Sequence, residues 1–370
     1  MPADVEGLKD LSEEDRNRLE LAGLDMEMEE RSGSFFQVDQ EIRHVHSGTE
    51  GIEVLPIAEA LQKYEWFKDY YWNAVDKDLD RFTQYVAKQE AQRGFAIIAH
   101  KGAKAIYPLQ ACLYLAGAKV QYVHNIVIAE EGAELHLISG CVSAAGTTAG
   151  AHIGVTEIYV GKNARVTSTM IHNWSESISV YPRSATVIEE GGVFLSNYVC
   201  MQPVRHIDMN PIATLKGKDA VARFSSVVVG LPGSELDLGS RAILKASGCS
   251  AEVVSRMITR GGNIISRGEI RGEVSGTKGH IECKGLILED GMIHAIPEIA
   301  GLVVDTELSH EAAVGRIARD EIEYLMSRGL DEETATATII RGFLDVKIRG
   351  LPETLQRQID AAIDAAEAGF

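Results

Sequence analysis

Six short stretches decide the fold: Ala133-Glu134-Leu135, Ala164-Arg165-Val166, Gly192-Val193-Phe194, Ala220-Val221-Ala222, Ala251-Glu252-Val253 and Gly279-His280-Ile281. Their first residues are separated by 31, 28, 28, 31 and 28 positions. Each opens with a small residue and carries a residue of the same face two places on, the period of a β-strand. No helical pattern lies between successive copies, so the array cannot be a βαβ sheet, whose parallel strands need long crossovers. A repeat of this length made of strands and turns fits a solenoid in which each copy is one coil and the small residues stack in a column. The expected fold is therefore mainly β, a parallel β-helix.

Working outward, the period changes on both sides. From Gly94 to Val304 Val, Ile, Ser, Thr and Gly dominate, as in Ala164-Arg165-Val166-Thr167-Ser168. Before about Glu90 the pattern reads as helical, with Val75, Leu79, Phe82 and Val86 on one face. The aromatic run Tyr64, Trp66, Phe67, Tyr70, Tyr71 and Trp72 reads as core or subunit contact. After Ser309 helices return. Asp320–Arg328 is stopped by Gly329, and Asp331 caps a second helix bearing Ala335, Ile339 and Phe343. Pro352 opens a third with Leu355, Ile359 and Ala362. The expected organisation is a helical region over 1–92, a β-helix core over 93–308 and a helical region over 309–370.

The chain has 370 residues, 45% of them hydrophobic, enough to bury a large core. A formal net charge of −18 argues against nucleic acid or an anionic membrane as main partner, since both are polyanions. No apolar run reaches the roughly 20 residues needed to cross a bilayer. The acidic start is unlike a signal peptide, so a cytoplasmic location is expected. The five cysteines (Cys112, Cys141, Cys200, Cys249, Cys283) include no C-x-x-C pair, which argues against structural zinc and a disulfide framework. There is no P-loop, no G-x-S-x-G elbow and no H-E-x-x-H, and Gly146–Gly154 does not follow the dinucleotide pattern.

One further 28-residue step from Gly279 lands on Glu307, and the same step carries Cys283 to Glu311. If the coil continues, Cys283 and Glu311 share a column about 4.8 Å apart, with His310 on the other face. Thiolate and imidazole hold iron or zinc well, a carboxylate is more easily displaced, and so few thiolates suit a cluster that must later leave. Taken alone, a core cysteine, a surface histidine and a capping glutamate explain the set more simply. Cys141 sits where a strand breaks into a Gly/Ala/Thr-rich loop, which would expose its thiol. Cys112, Cys200 and Cys249 lie in apolar strand segments and read as structural. His172-Asn173-Trp174 is polar within a strand and could line a passage or simply be packed. His44 and His46 read as exposed.

The stretch Glu307-Leu308-Ser309-His310-Glu311-Ala312-Ala313-Val314-Gly315, then Tyr324–Leu330, Ala335 and Gly342-Phe343, closely resembles the C-terminal signature of the SufB/SufD family. Ser139-Gly140-Cys141, His172-Asn173-Trp174, Arg267-Gly268 and Ile281-Glu282-Cys283 follow that family's order and spacing, so the resemblance covers about 132–343. It implies a scaffold for iron–sulfur cluster assembly: a right-handed parallel β-helix between helical ends, dimerising through the β-helix, with a SufC-like ABC ATPase on the C-terminal helices. By resemblance Cys141 accepts sulfur from a sulfur donor. His172, Trp174 and Arg183 lie on a sulfur path, and Cys283, Glu311 and His310 hold a transient iron–sulfur cluster destined for apo recipient proteins. A flavin as further cofactor is left open. The scaffold itself is not an enzyme; ATP hydrolysis is expected in the partner.

Departures from the family pattern are His172 where glutamine is usual, Lys284 after Cys283 where aspartate is usual, and no C-x-x-C-x-x-x-C segment. The chain joins the SufB-type cysteine and glutamate to the family-wide histidine, which implies one chain filling both roles in a homodimer. The rivals are a SufD-like structural partner needing a separate SufB, and a β-helix enzyme acting on sugars or acyl groups. The few aromatics of the β region and its long repeat speak against the enzyme.

Overall fold

The computed structural model describes residues 11–24 and 31–344. The segment opened by Pro352 lies outside them. Two ten-stranded sheets face each other, linked coil by coil into a parallel β-solenoid of about eight turns. The first sheet runs from the strand Leu109–Leu115 through Glu134–Ser143, Arg165–Asn173, Val193–Cys200, Val221–Gly230, Ser250–Thr259 and Thr277–Ile287 to Thr306–Gly315. The second runs from Phe95–Ala99 to Met292–Gly301. Alternate residues point between the sheets and form one continuous core that includes Leu135, Val166, Phe194 and Ile281. No helix among the described residues is long and apolar enough to cross a membrane.

The small-residue column is present: backbone ladders place Ala133, Ala164, Gly192 and Ala220 in succession. The fourth interval differs from the expected one. Ala251 pairs with Ala222, a step of 29, and Cys249 stands over Ala220. Small residues two places apart are interchangeable as markers, and the sequence reading stepped from the wrong one.

The ends are not purely helical. Gly33–Val38 and Glu41–Ser47 form an antiparallel hairpin, and Gly33–Val38 stacks parallel on Leu109–Leu115. Ile52–Pro56 pairs antiparallel with Phe95–Ala99. Both sheets are thus closed at the N-terminal end, the first by a charged, largely exposed edge strand that discourages further pairing. At the other end the first sheet continues to Gly315, and helices begin only at Arg319. Arg319–Ser327 and Glu332–Leu344 match the two expected helices, and Asp331 Oδ1 accepts from Thr334 N at 2.7 Å.

Val75, Leu79, Phe82 and Val86 do not share a helix, because the helix spans only Arg81–Ala87. Asp80, the capping residue, stops it from reaching further back. The chain around it lies across the outside of the second sheet. It is pinned there by Glu157, which is fully buried. The carboxylate accepts from the backbone N–H of Trp72 (2.7 Å), Ala74 and Val75 (3.1 Å), from Tyr159 Oη (3.0 Å) and from His124 Nε2 (2.8 Å). Trp72 takes a positive φ of 59° to reach it. Glu157→Ala would strand these donors in a buried site and should cost about 3–5 kcal/mol, read as a lower urea midpoint.

Candidate functional site

The inward faces of consecutive coils carry the chemistry. One row of the first sheet reads Leu113, Cys141, His172, Cys200, Val228, Met257. The neighbouring inward row reads Ser139, Met170, Tyr198, Ser226, Ser255, Cys283. Strand alternation fixes both rows, so Cys141 and Cys283 point into the same interior five coils apart. That separation is about 24 Å at ~4.8 Å per strand.

Two internal cavities lie along these rows. One, of about 30 Å³, is walled by Cys141, His152, His172 and Ser139 among others. A second, of about 70 Å³, is bordered by Tyr198, Ser226, Ser255 and Ser266. They share Thr156, Ser168, Met170, Pro182 and Ser184, and so abut. Hydroxyls and methyl groups dominate this lining. Its far end stops at Ser255, the ladder neighbour of Cys283.

Cys141 is not on an exposed loop. Its strand continues to Ser143, and the thiol is 1% exposed, so burial pushes it up to about 12. The helix Glu13–Leu21 packs over the outer face of the same strand, with Leu19 and Ala22 against Ile138 and Val142. Arg18 ties it down by donating to the carbonyls of Ser143 (3.0 Å) and Trp174 (3.1 Å). His172 faces inward, its Nδ1 2.9 Å from Tyr198 Oη. Burial, then the neighbouring His152, lowers it to about 3. Trp174 is buried beside it, and its indole Nε1 makes no hydrogen bond among the described residues.

Arg183 is not in the interior. It follows the inward Pro182 and therefore points outward, donating to Asp80 Oδ2 at 2.6 Å and Asp208 Oδ2 at 3.0 Å. Its place is structural, holding the cap of the helix Arg81–Ala87.

The last coil reverses the expected faces. The corner 288–291 is one residue longer than the corner 260–262 before it. The final step is therefore 29 residues: Gly279 pairs with Leu308, Cys283 with Ala312 and Glu282 with Glu311. A one-residue shift exchanges the two faces of a strand. Glu311 thus lies outside, with Lys284 Nζ 3.2 Å from its carboxylate and 3.0 Å from that of Glu282. His310 falls in the row of Ile281, the face of Cys283, and is exposed at the open end. Cys283 itself is fully buried. Burial raises its thiol, while the Ser266 and Ser255 hydroxyls and the Arg256 charge pull the other way. Cys283 and Glu311 therefore do not share a column. Among the described residues no three His, Cys, Asp or Glu side chains gather as a metal-binding group.

Cys112 lies under the helix Glu13–Leu21, and the Cys249 Sγ donates to Gly217 O at 3.1 Å; both fit the structural reading. Cys200 is different, since it shares the inward row of Cys141 and His172. His152, Gln121 and Tyr198 went unnoticed in the sequence. Their signal is a polar residue on an inward strand position, visible only once the register is known. All five thiols are buried. A thiol-reactive dye should therefore label the native chain at least 100-fold more slowly than the denatured chain, with five sites reacting in denaturant.

Residues 113–343 match the family described as SUF system FeS cluster assembly, SufBD core domain. A protein of Archaeoglobus fulgidus, named an iron-sulfur cluster assembly SufBD family protein, is 49% identical over 354 residues, covering 95% of each chain. A like-named protein of Methanothermobacter thermautotrophicus is 42% identical over 373 residues, covering 99% of this chain and 91% of the relative. Another from Pyrococcus horikoshii is 30% identical over 379 residues, covering 100% and 84%. With a family match over most of the solenoid and relatives of this identity spanning the chain, the protein belongs to the SufBD family of iron–sulfur cluster assembly proteins.

Proposed function

We propose that this chain is a SufB-like scaffold on which sulfur received at Cys141 meets iron at the open end of the solenoid, in a homodimer worked by a SufC-type ATPase. The observation that carries this reading is the pair of abutting cavities, one lined by Cys141 and the other by Ser255, the ladder neighbour of Cys283. Two thiols about 24 Å apart cannot exchange sulfur directly, so an interior route between them has an evident use. His172 lines the start of that route and Trp174 packs against it, whereas Arg183 lines neither cavity.

The open end supports the dimer. Among the described residues the terminal strands Met292–Gly301 and Thr306–Gly315 each have one unpaired edge, and Leu302, Val304 and Val314 are exposed there. Two-fold pairing of identical edges would cover them and bring two copies of His310 into one interface. Within a single copy Cys283 is sealed and Glu311 faces away, so cluster building requires the last coils to rearrange. Movement of ATPase subunits docked on the helices Arg319–Ser327 and Glu332–Leu344 would supply the work. The few ligands then allow the finished cluster, the cargo of the process, to pass to recipient proteins.

The outward Glu311 favours one second reading, a SufD-like structural partner that needs a separate SufB. Co-purification with the ATPase and no second scaffold supports the first reading; obligate recovery of another SufBD chain supports the second.

Anaerobic reconstitution of the chain with its ATPase partner, ATP, iron and sulfide, followed by visible absorption and Mössbauer spectroscopy, tests the site. Wild type should gain a cluster and Cys283→Ala should lose it; equal loading would remove Cys283 from the site. Ser184→Phe fills the stretch shared by both cavities. It should cut cluster formation from persulfide-loaded protein at least tenfold while leaving reconstitution from free sulfide near wild type.

A further inference from the structure

The cavity beside Cys141 contains a hydrogen-bond acceptor whose direction the surrounding groups determine. Gln121 is fully buried, and its side-chain N–H groups donate to the carbonyls of Asp39 and Tyr114, both at 3.1 Å. With the amide nitrogen facing two acceptors, its oxygen must face the other way, toward His152 Nδ1 at 2.8 Å. An amide oxygen only accepts, so Nδ1 of His152 carries the proton and Nε2 presents a lone pair. His152 is 3% exposed, lines the cavity, and its Nε2 makes no hydrogen bond among the described residues. Burial pushes this imidazole down to about 4, which keeps it neutral at ordinary pH.

Two neighbours keep that lone pair accessible. Residue 154 is glycine, and a Cβ there would sit 3.0 Å from His152 Nε2, across the mouth of the acceptor. Gly154 lines the same cavity. Trp174 packs its ring 5.2 Å from the His152 ring, walling the imidazole in. The enclosed volume of about 30 Å³ exceeds the roughly 10–15 Å³ that one water-sized particle requires. It leaves room for one added atom of about a water's size in a cavity that Cys141 and His152 both line.

We propose that this cavity is the holding site for the outer sulfur of a persulfide on Cys141, with its S–H donating to Nε2 of His152. The inference rests on Cys141 being the sulfur acceptor and names the residues that keep the sulfur once it arrives. The step is thiol–persulfide exchange: a donor R–S–SH loses its outer sulfur to Cys141, giving R–SH and Cys141–S–SH. One S–S bond breaks and one forms, the Cys141 proton ends on the departing donor thiol, and no net oxidation occurs. His152 acts as a positioning residue, and Gln121 sets its tautomer.

The test loads the purified full-length chain with a small-molecule persulfide and maps the added sulfur by peptide mass spectrometry. It then follows the lifetime of the Cys141 persulfide against excess thiol. His152→Phe, which keeps a ring but removes the acceptor, should shorten that lifetime about tenfold, the scale of one lost buried hydrogen bond. His152→Gln should restore part of it through its amide oxygen. Gly154→Ala should shorten it without altering either Cys141 or His152, which keeps the test open if the phenylalanine variant fails to fold. Folded His152→Phe and Gly154→Ala proteins with wild-type lifetimes would overturn the holding site while leaving Cys141 as acceptor. Absence of any Cys141 persulfide in the wild type would overturn both.

Discussion

The register in which one coil hydrogen-bonds to the next governs everything else in this molecule. Parallel ladders hold equivalent residues of successive coils at one spacing, and alternation along each strand sends every second side chain inward. Cys141, His172 and Cys200 are stacked for that reason, and Ser226, Ser255 and Cys283 for the same one. The sheets supply the order, and the loops at the corners decide which residue enters each row.

Much of this was legible in the sequence. A repeat near 28 residues, built of alternating short runs without intervening helices, leaves few architectures besides a solenoid, and the small-residue column is where it was expected from Ala133 to Ala220 but not at Ala251 and Gly279. The helices after Arg319 and the Asp331 cap were also readable, because capping and glycine stops act locally. The strands at 33–56 were not. Glu41–Ser47 carries charges and histidines on a solvent-facing edge, so it lacks the apolar alternation that marks a strand.

Legibility of the site broke down where tertiary context overrides local pattern. Ile138–Ser143 reads as a strand dissolving into a loop, but a helix from the other end of the chain covers it and buries Cys141. Arg183 adjoins a proline that takes the inward position, and only the ladder reveals this parity. Glu311 was placed by counting, and a single extra corner residue made the count wrong by one. His152 and Gln121 were invisible because their importance lies in facing each other across adjacent coils, 31 positions apart.

The longer corner at 288–291 has a bearing on how such scaffolds vary. Adding or removing a whole coil would lengthen or shorten the interior route by one strand spacing and leave inside and outside unchanged. Adding one residue at a corner does the opposite: the span stays the same, and every later side chain on that strand turns over. On a strand with one buried face such an insertion would drive apolar side chains into solvent, so it is tolerated only where both faces are largely exposed, as on Thr306–Gly315. At the open end of this fold, corner-length differences are therefore changes able to exchange the residues facing the interior for those facing solvent while the protein remains folded.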